Sequence, residues 1–282
     1  MTFSGKRDLA VAKEEFIAMN TADIPWVDAS DIPGLPLGRE VKILRRYDED
    51  AYSLDMLVRI PPGEVEPRHA HEAEHMVMVV EGRVVIDGKT LGPGDYIYSP
   101  RNVPHGPVEY PDGCLLYASH RGRLARYDDD ANEAGAAVRP HSASGGATTT
   151  TGPIALTVCD IAWMDAKQLI ELPPGLEVKV LRHDVADDNA RDLLVHFPPG
   201  YTEPRHMHWG SHNNVILEGR MLIDGKTLNH GDYVYGPGDV WHGPFHYPDG
   251  ITLCAFHRGD PRHFYEGKEH VYGQTIENHG EL

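Results

Sequence analysis

Residues 67–82 read PRHAHEAEHMVMVVEG, and residues 204–219 read PRHMHWGSHNNVILEG. Both stretches place three histidines at the same spacing. They are His69, His71 and His75 in the first, and His206, His208 and His212 in the second. A fourth follows each set, His105 in GDYIYSPRNVPHGP and His242 in GDYVYGPGDVWHGP. Outward from these stretches the chain is an internal repeat. It aligns without a gap from Leu35–Gly122 to Leu172–Gly259, with about half of the paired positions identical. Eight histidines kept in a diverged repeat predict two related metal sites, one in each copy.

The spacing supports that reading. On a strand, residues two apart share a face, so His69 and His71 point the same way and a regular strand returns His75 to that face. His105 comes from a separate strand. Burying four neutral imidazoles together without a metal would leave ring nitrogens unpaired. A cluster of imidazoles suits a borderline divalent ion: iron, manganese, copper, nickel or zinc.

The segments around the histidines are short and rich in β-branched and aromatic residues: KILRRY, SLDMLVRI, HMVMVVEG, RVVIDG and DYIYSP. Pro-Pro-Gly, Asp-Gly-Lys, Gly-Pro-Gly-Asp and Pro-Asp-Gly punctuate them. This predicts an all-β architecture of two antiparallel sandwiches or barrels. The expected domains are 1–122 and 153–282, joined by a low-complexity linker at 123–152 that runs through EAGAAV and HSASGGATTTTG. Trp26 and Trp163, in DIPWVD and DIAWMD, mark the expected domain starts. Residues 7–20 carry Leu9, Val11, Phe16, Ile17 and Met19 among charges, and are expected to form an amphipathic helix packed outside a domain or on a partner subunit. The tail after Gly259 has no counterpart in the first copy by this alignment. Its Phe264, Tyr265 and Tyr272 are expected to pack in part onto the structure.

The chain of 282 residues has 43 acidic against 26 basic side chains, a net charge of −17. Such a surface repels phosphate backbones and anionic lipid heads, so nucleic-acid and membrane partners are not expected. No stretch approaches the ~20 apolar residues of a spanning helix, and no leader-like apolar run opens the sequence. A cytoplasmic location is expected. Cys114, Cys159 and Cys254 are not repeat-matched and form no CxxC, so they are read as small, partly buried hydrophobic residues.

At this point the sequence resembles a bicupin, a protein of two tandem cupin barrels. The cupin pattern is Gly-x5-His-x-His-x3,4-Glu-x6-Gly followed by Gly-x5-Pro-x-Gly-x2-His-x3-Asn. The first copy matches it with Gly63, His69, His71, Gly82, Gly94, Pro100 and His105. The second matches with Gly200, His206, His208, Gly219, Gly231, Pro237 and His242. Three positions depart. The glutamate is His75 and His212, the final asparagine is Glu109 and His246, and the second-motif glycine is Asn102 and Asp239. An all-histidine set adds no negative charge and favours an anionic ligand. That weakens the likeness to oxalate decarboxylases and germins. It strengthens the likeness to cupins with three- or four-histidine sites, such as diketone-, dihydroxyacetophenone- and thiol-oxidising dioxygenases and manganese hydroxynitrile lyases.

The resemblance implies a non-haem Fe(II) dioxygenase acting on a small oxygenated organic substrate, with dioxygen as its partner and two coordination positions left open. A lyase or isomerase using Mn(II), Zn(II) or Ni(II), and a metal-dependent binding protein, are the alternatives; Cu(II) also suits imidazole. A homodimer is compatible with this reading. Two-residue periodicity from His105 and His242 puts Glu109 and His246 on the pocket face, as candidates to carry the proton. His120 and His257, in the two HRG tripeptides, are read as ordinary surface or core residues. The same periodicity points Val77 and Asn214 inward. Asn214, Trp209 and Trp241 give the second copy the more polar and aromatic pocket candidates, and favour it as the reacting one.

Overall fold

The computed structural model describes residues 15–32, 34–47, 53–128, 152–169, 175–266, 270–271 and 274–275. Among these there is no α-helix; short 3-10 turns and strands account for all regular structure. None of the described helices is long and apolar enough to cross a membrane.

Each copy builds one antiparallel barrel from a seven-stranded sheet facing a four-stranded one. In the first copy the large sheet runs, edge to edge, through Ile154–Leu156, Tyr96–Ser99, Glu74–Gly82, Cys114–Arg121, Leu54–Ile60, Glu40–Arg46 and Val27–Asp28. The small sheet orders Glu64–Glu66, Val108–Tyr110, Val84–Ile86 and Lys89–Leu91. The second copy repeats both sheets at the equivalent positions. Val58, Val79, Ile86 and Leu116 fill the first barrel, and Val195, Ile216, Ile223 and Leu253 fill the second. Alternation of these residues with polar ones is what the strands' two-residue period requires.

The outermost strand of each large sheet comes from the other copy. Ile17–Met19 pairs antiparallel with Tyr233–Gly236 of the second barrel. Ile154–Leu156 pairs in the same way with Tyr96–Ser99 of the first. The expected helix over 7–20 is therefore corrected for its described part: Ile17–Met19 is a strand, and residues 7–14 lie outside the described residues. The reason is tertiary. An open sheet edge offers unpaired N–H and C=O groups, and pairing satisfies them, outweighing a weak local helical pattern. After each exchanged strand the chain returns to its own barrel. Lys42 then reaches the Thr21 carbonyl (2.6 Å) and Lys179 the Val158 carbonyl (2.8 Å).

A third apolar cluster lies between the barrels and draws on both copies, including Leu57, Met78, Tyr117, Leu194, Val215 and Phe256. Two fully buried aspartates, Asp55 and Asp192, sit within it. The Tyr233 hydroxyl donates to Asp55 (2.6 Å), and the Tyr96 hydroxyl donates to Asp192 (2.5 Å). Each barrel thus satisfies a carboxylate of the other. Asp55 also accepts from Ser119 and Asn213, and Asp192 from Arg258.

The stretch read as linker is partly structured. Arg126–Asp128 forms a strand on His69–His71, and Phe264–Tyr265 pairs with His206–Met207 at the same repeat offset. The repeat therefore runs past Gly122 and Gly259, and the tail does have a counterpart. Residues 129–151 and Tyr272 lie outside the described residues. Cys114 and Cys254 are buried, as expected, whereas Cys159 is exposed.

The interface makes a prediction. Removing one donor from a buried carboxylate should cost about 1.5–3 kcal/mol. Tyr96→Phe and Tyr233→Phe are each expected to lower the urea midpoint accordingly. Because each hydroxyl bridges the two barrels, the transition should move as one and not split.

Candidate metal centres

His69 and His105 lie opposite each other and exchange a pair of backbone hydrogen bonds, 3.0 and 2.8 Å. His206 and His242 do the same at 2.9 Å each. The first and fourth histidines of each set are thus fixed by the main chain. His75 stands across the large sheet from His120, and His212 from His257.

The rings converge. In the first barrel the His69–His105 centroids are 4.4 Å apart, His71–His75 5.0 Å and His75–His105 5.0 Å. In the second, His206–His242 are 4.5 Å apart, His208–His212 4.5 Å and His208–His242 4.9 Å. Candidate ligand atoms of His69, His71 and His105, and of His206, His208 and His242, lie within 4.8 Å of one another. The third histidine of each set, His75 or His212, is not part of that close trio and stands against it from the large sheet, its ring centroid 5.0 Å from His105 or 5.4 Å from His242.

Three rings of each set, all but His75 and His212, are oriented from behind. Nδ1 of His69 donates to the Pro67 carbonyl (2.8 Å), His105 to Val103 (3.1 Å), and His71 to Leu124 at a longer 3.4 Å. In the second barrel His206 donates to Pro204 (2.9 Å), His208 to Gly210 (2.6 Å) and His242 to Val240 (2.8 Å). A proton held on Nδ1 by a carbonyl leaves the Nε2 lone pair to bind a metal. The Nε2 atoms of His208 and His242 are buried and have no hydrogen-bond partner among the described residues. Orphaned lone pairs aimed at one point fit a divalent ion of the borderline class.

Burial keeps these rings neutral. It depresses His69, His71 and His105 to about 4, with neighbouring imidazoles adding to the effect on His69 and His71. It takes His206 to about 3 and His208 to about 4. His75 and His212 are pushed well below the ordinary value by burial and then by the surrounding histidines.

Glu109 and His246 are not in either cavity. Glu109 is exposed between buried Val108 and Tyr110, and His246 lies between buried Phe245 and Tyr247 with its Nδ1 on the Thr202 hydroxyl (2.9 Å). The two-residue count fails because Gly106 (φ 87°) and Gly243 (φ 81°) interrupt the strand just after the histidine. That backbone region belongs to glycine, and it shifts the inward face by one residue. Trp209 and Trp241 are exposed at 51% and 37%, and lie tilted against Phe264 and beside Arg205 respectively, outside the cavity. Val77 and Asn214 do line the cavities.

His120 and His257, which the sequence alone does not single out, are both buried in the cavity walls, with rings 5.2 Å from His75 and 5.4 Å from His212. Their repeat-matched position was the signal available in the sequence. Nδ1 of His120 is buried without a hydrogen-bond partner among the described residues.

A buried glutamate also stands beside each site, and here the copies diverge. Glu66 accepts from Arg39 (2.6 Å), Arg126 (2.8 Å) and Tyr110 (2.7 Å). Burial works to raise its pKa, but Arg39, His69 and the hydrogen bonds together hold it near 2. Glu203, its equivalent, accepts from Tyr247 (2.9 Å). Leu176 replaces Arg39 and His263 replaces Arg126, and burial pushes Glu203 up to about 7 against the pull of Tyr247.

The model of the ChrR cupin-like domain matches residues 14–124 and again 156–260. The chain is a tandem member of that cupin family. Its two domains are cupin barrels, as the motifs implied. The fold is shared with solved bicupins. A Nostoc punctiforme protein, described provisionally as a dioxygenase, superposes with a TM-score of 0.71 at 17% identity, over 87% of this chain and 83% of that one. Salicylate 1,2-dioxygenase from Pseudoaminobacter salicylatoxidans, solved as adducts with gentisate, gives 0.61 at 17% identity over 93% and 88%. Oxalate decarboxylase from Lactobacillus farciminis, in a formate complex, gives 0.54 at 11% identity over 88% and 87%. A comparison with curated protein sequences finds no match.

Two outcomes are expected of the cupin pair. Anaerobic titration with Fe(II) or Co(II) should saturate at about two equivalents, one for each ligand set, and His71→Ala should reduce this to about one. Saturation of the intact chain at one would mean that a barrel binds nothing. The metal-free protein should also lose stability on acidification. Its histidines titrate near 6.5 when unfolded and near 4 or below when folded. Between those values the unfolded chain binds more protons, so stability falls as pH drops from about 6.5 toward 4. Urea midpoints across that window would show a flat line if the rings were solvated.

Proposed function

We propose that this bicupin is a non-haem Fe(II) dioxygenase acting on a small oxygenated organic molecule in its first barrel, not in the second that the sequence favours, since Trp209 and Trp241 lie exposed outside the second cavity. The observation that carries the reading is a groove of about 710 Å³ at that barrel's mouth. Leu35, Pro36 and Glu66 line both this groove and the histidine cavity of about 80 Å³ beneath it. A substrate of modest size can therefore lie in the groove and present one oxygenated end to the histidines.

When bound, the iron supplies Lewis acidity and redox chemistry toward substrate and dioxygen. The chain supplies the setting. His69, His71, His75 and His105 hold the ion without adding negative charge. Arg39 and Arg126 neutralise Glu66, so that carboxylate does not repel an anionic substrate end. Val77, Ile97 and Leu116 wall the cavity and exclude water, which strengthens every electrostatic contact inside. His120 faces the same cavity and holds a hydrogen bond, or a proton, at Nδ1 for a bound ligand. The likeness to dioxygenases supports the reading through the fold. The lyase alternative uses the same all-neutral site without consuming oxygen.

The test is an oxygen-electrode screen of Fe(II)-loaded protein against small phenols, diketones and hydroxyketones. Oxygen uptake matched to substrate loss is expected, abolished by chelation and by His105→Ala. Glu109→Gln should retain most activity, because its side chain is outside the cavity. His75→Glu should keep the ion but slow turnover about tenfold or more, since one added negative charge weakens the site's attraction for an anionic ligand. Turnover that proceeds equally well without oxygen would replace this reading with the lyase one.

A further inference from the structure

We propose that the second barrel contains a carboxylate-bearing cation site, Glu203–His206–His263, that overlaps its four-histidine site and has no counterpart in the first barrel. The ligand is a divalent ion of the zinc or cobalt type, which accepts mixed imidazole and carboxylate donors.

Three observations support it. The three side chains are buried, and one potential ligand atom from each lies within 4.8 Å of the others. Oε1 of Glu203 stands 3.6 Å from Nε2 of His206 and 3.7 Å from Nε2 of His263. Those separations are too long for hydrogen bonds. They are close to the roughly 3.4 Å between two ligands that each lie about 2.1 Å from a tetrahedral ion. Finally, the first barrel fills the same place with a fixed cation. There Arg126 sits at the position of His263 and ion-pairs with Glu66, and Arg39 sits at the position of Leu176. The second barrel has the buried carboxylate and neither guanidinium group at these positions. A buried carboxylate without a counter-charge is costly, and a bound metal ion supplies the missing charge.

The two sites compete. His206 gives Nδ1 to the Pro204 carbonyl, so it has only Nε2 for an ion. The second barrel therefore holds one ion at a time, shared between a neutral and an anionic ligand set. The first barrel's ion has the neutral set alone.

The proposal concerns ion binding and stands apart from the reaction assigned above, because neither readout below involves turnover. In the full chain, His208→Ala with His242→Ala removes half of the four-histidine set and leaves the proposed site whole. Anaerobic Co(II) titration of that variant, followed by visible absorption, should still reach two equivalents. Adding His263→Ala should bring it to one. A folded double variant that binds only one equivalent overturns the proposal. If the double variant does not fold, zinc-saturated wild-type crystals decide. Anomalous maps should show two partially occupied peaks in the second barrel, one bonded to Glu203 and His263, against one peak in the first barrel. A single peak in each barrel, with Glu203 and His263 unligated, overturns it.

Discussion

Lone pairs stripped of water hold this architecture to its purpose. Each barrel buries a cluster of neutral imidazoles whose Nδ1 atoms are mostly spent on main-chain carbonyls. The Nε2 atoms of His208 and His242 are buried and meet no hydrogen-bond partner among the described residues. Such a cluster is unfavourable by itself and becomes favourable around a cation. Much of the fold serves that geometry. The paired backbone bonds between first and fourth histidine fix two ligands, the large sheet delivers the third ring, and apolar walls keep the site dry.

Much of this was legible in the sequence because the repeat acts as an internal comparison. Eight histidines at a constant offset mark the ligands, and the short strands with their turns mark the barrels. The errors have physical causes. Glu109 and His246 were placed by counting in twos, which holds only for an uninterrupted strand; a left-handed glycine one residue earlier breaks the count. Ile17–Met19 resembles helix locally, but its partner is an edge more than two hundred residues away. His120 and His257 were passed over because a histidine in a strand has no distinguishing mark until its cross-strand neighbour is known to be a ligand. Arg126 and His263 lie beyond the point where the alignment lost its identity signal, although the structural repeat continues there.

The copies show how two sites with matched ligands drift apart. Their first ring of donors is unchanged, but the surroundings of one glutamate are not. In one barrel two arginines pin Glu66 as a charged, fully engaged group. In the other, leucine and histidine stand in those places, and burial governs Glu203 instead. A smaller change sits behind His212. A side chain on Gly236 would come within 2.6 Å of that ring, whereas the first copy carries Ser99 at the matching position. Exchanges of this kind alter charge and room at a site without touching a ligand.

The exchanged arms have a consequence for ancestry. Each barrel borrows its outermost strand from the other copy, and the two loans are related by the same offset as the histidines. The buried aspartates are likewise satisfied across the boundary, each by the other copy's tyrosine. This is the arrangement of an arm-swapped symmetric dimer, in which one surface patch meets its own twin. A single-copy forebear already assembled in that way would need only a tether between its subunits to become this chain. On that view the fusion created no new contact. It freed the two halves to mutate separately while keeping them permanently together.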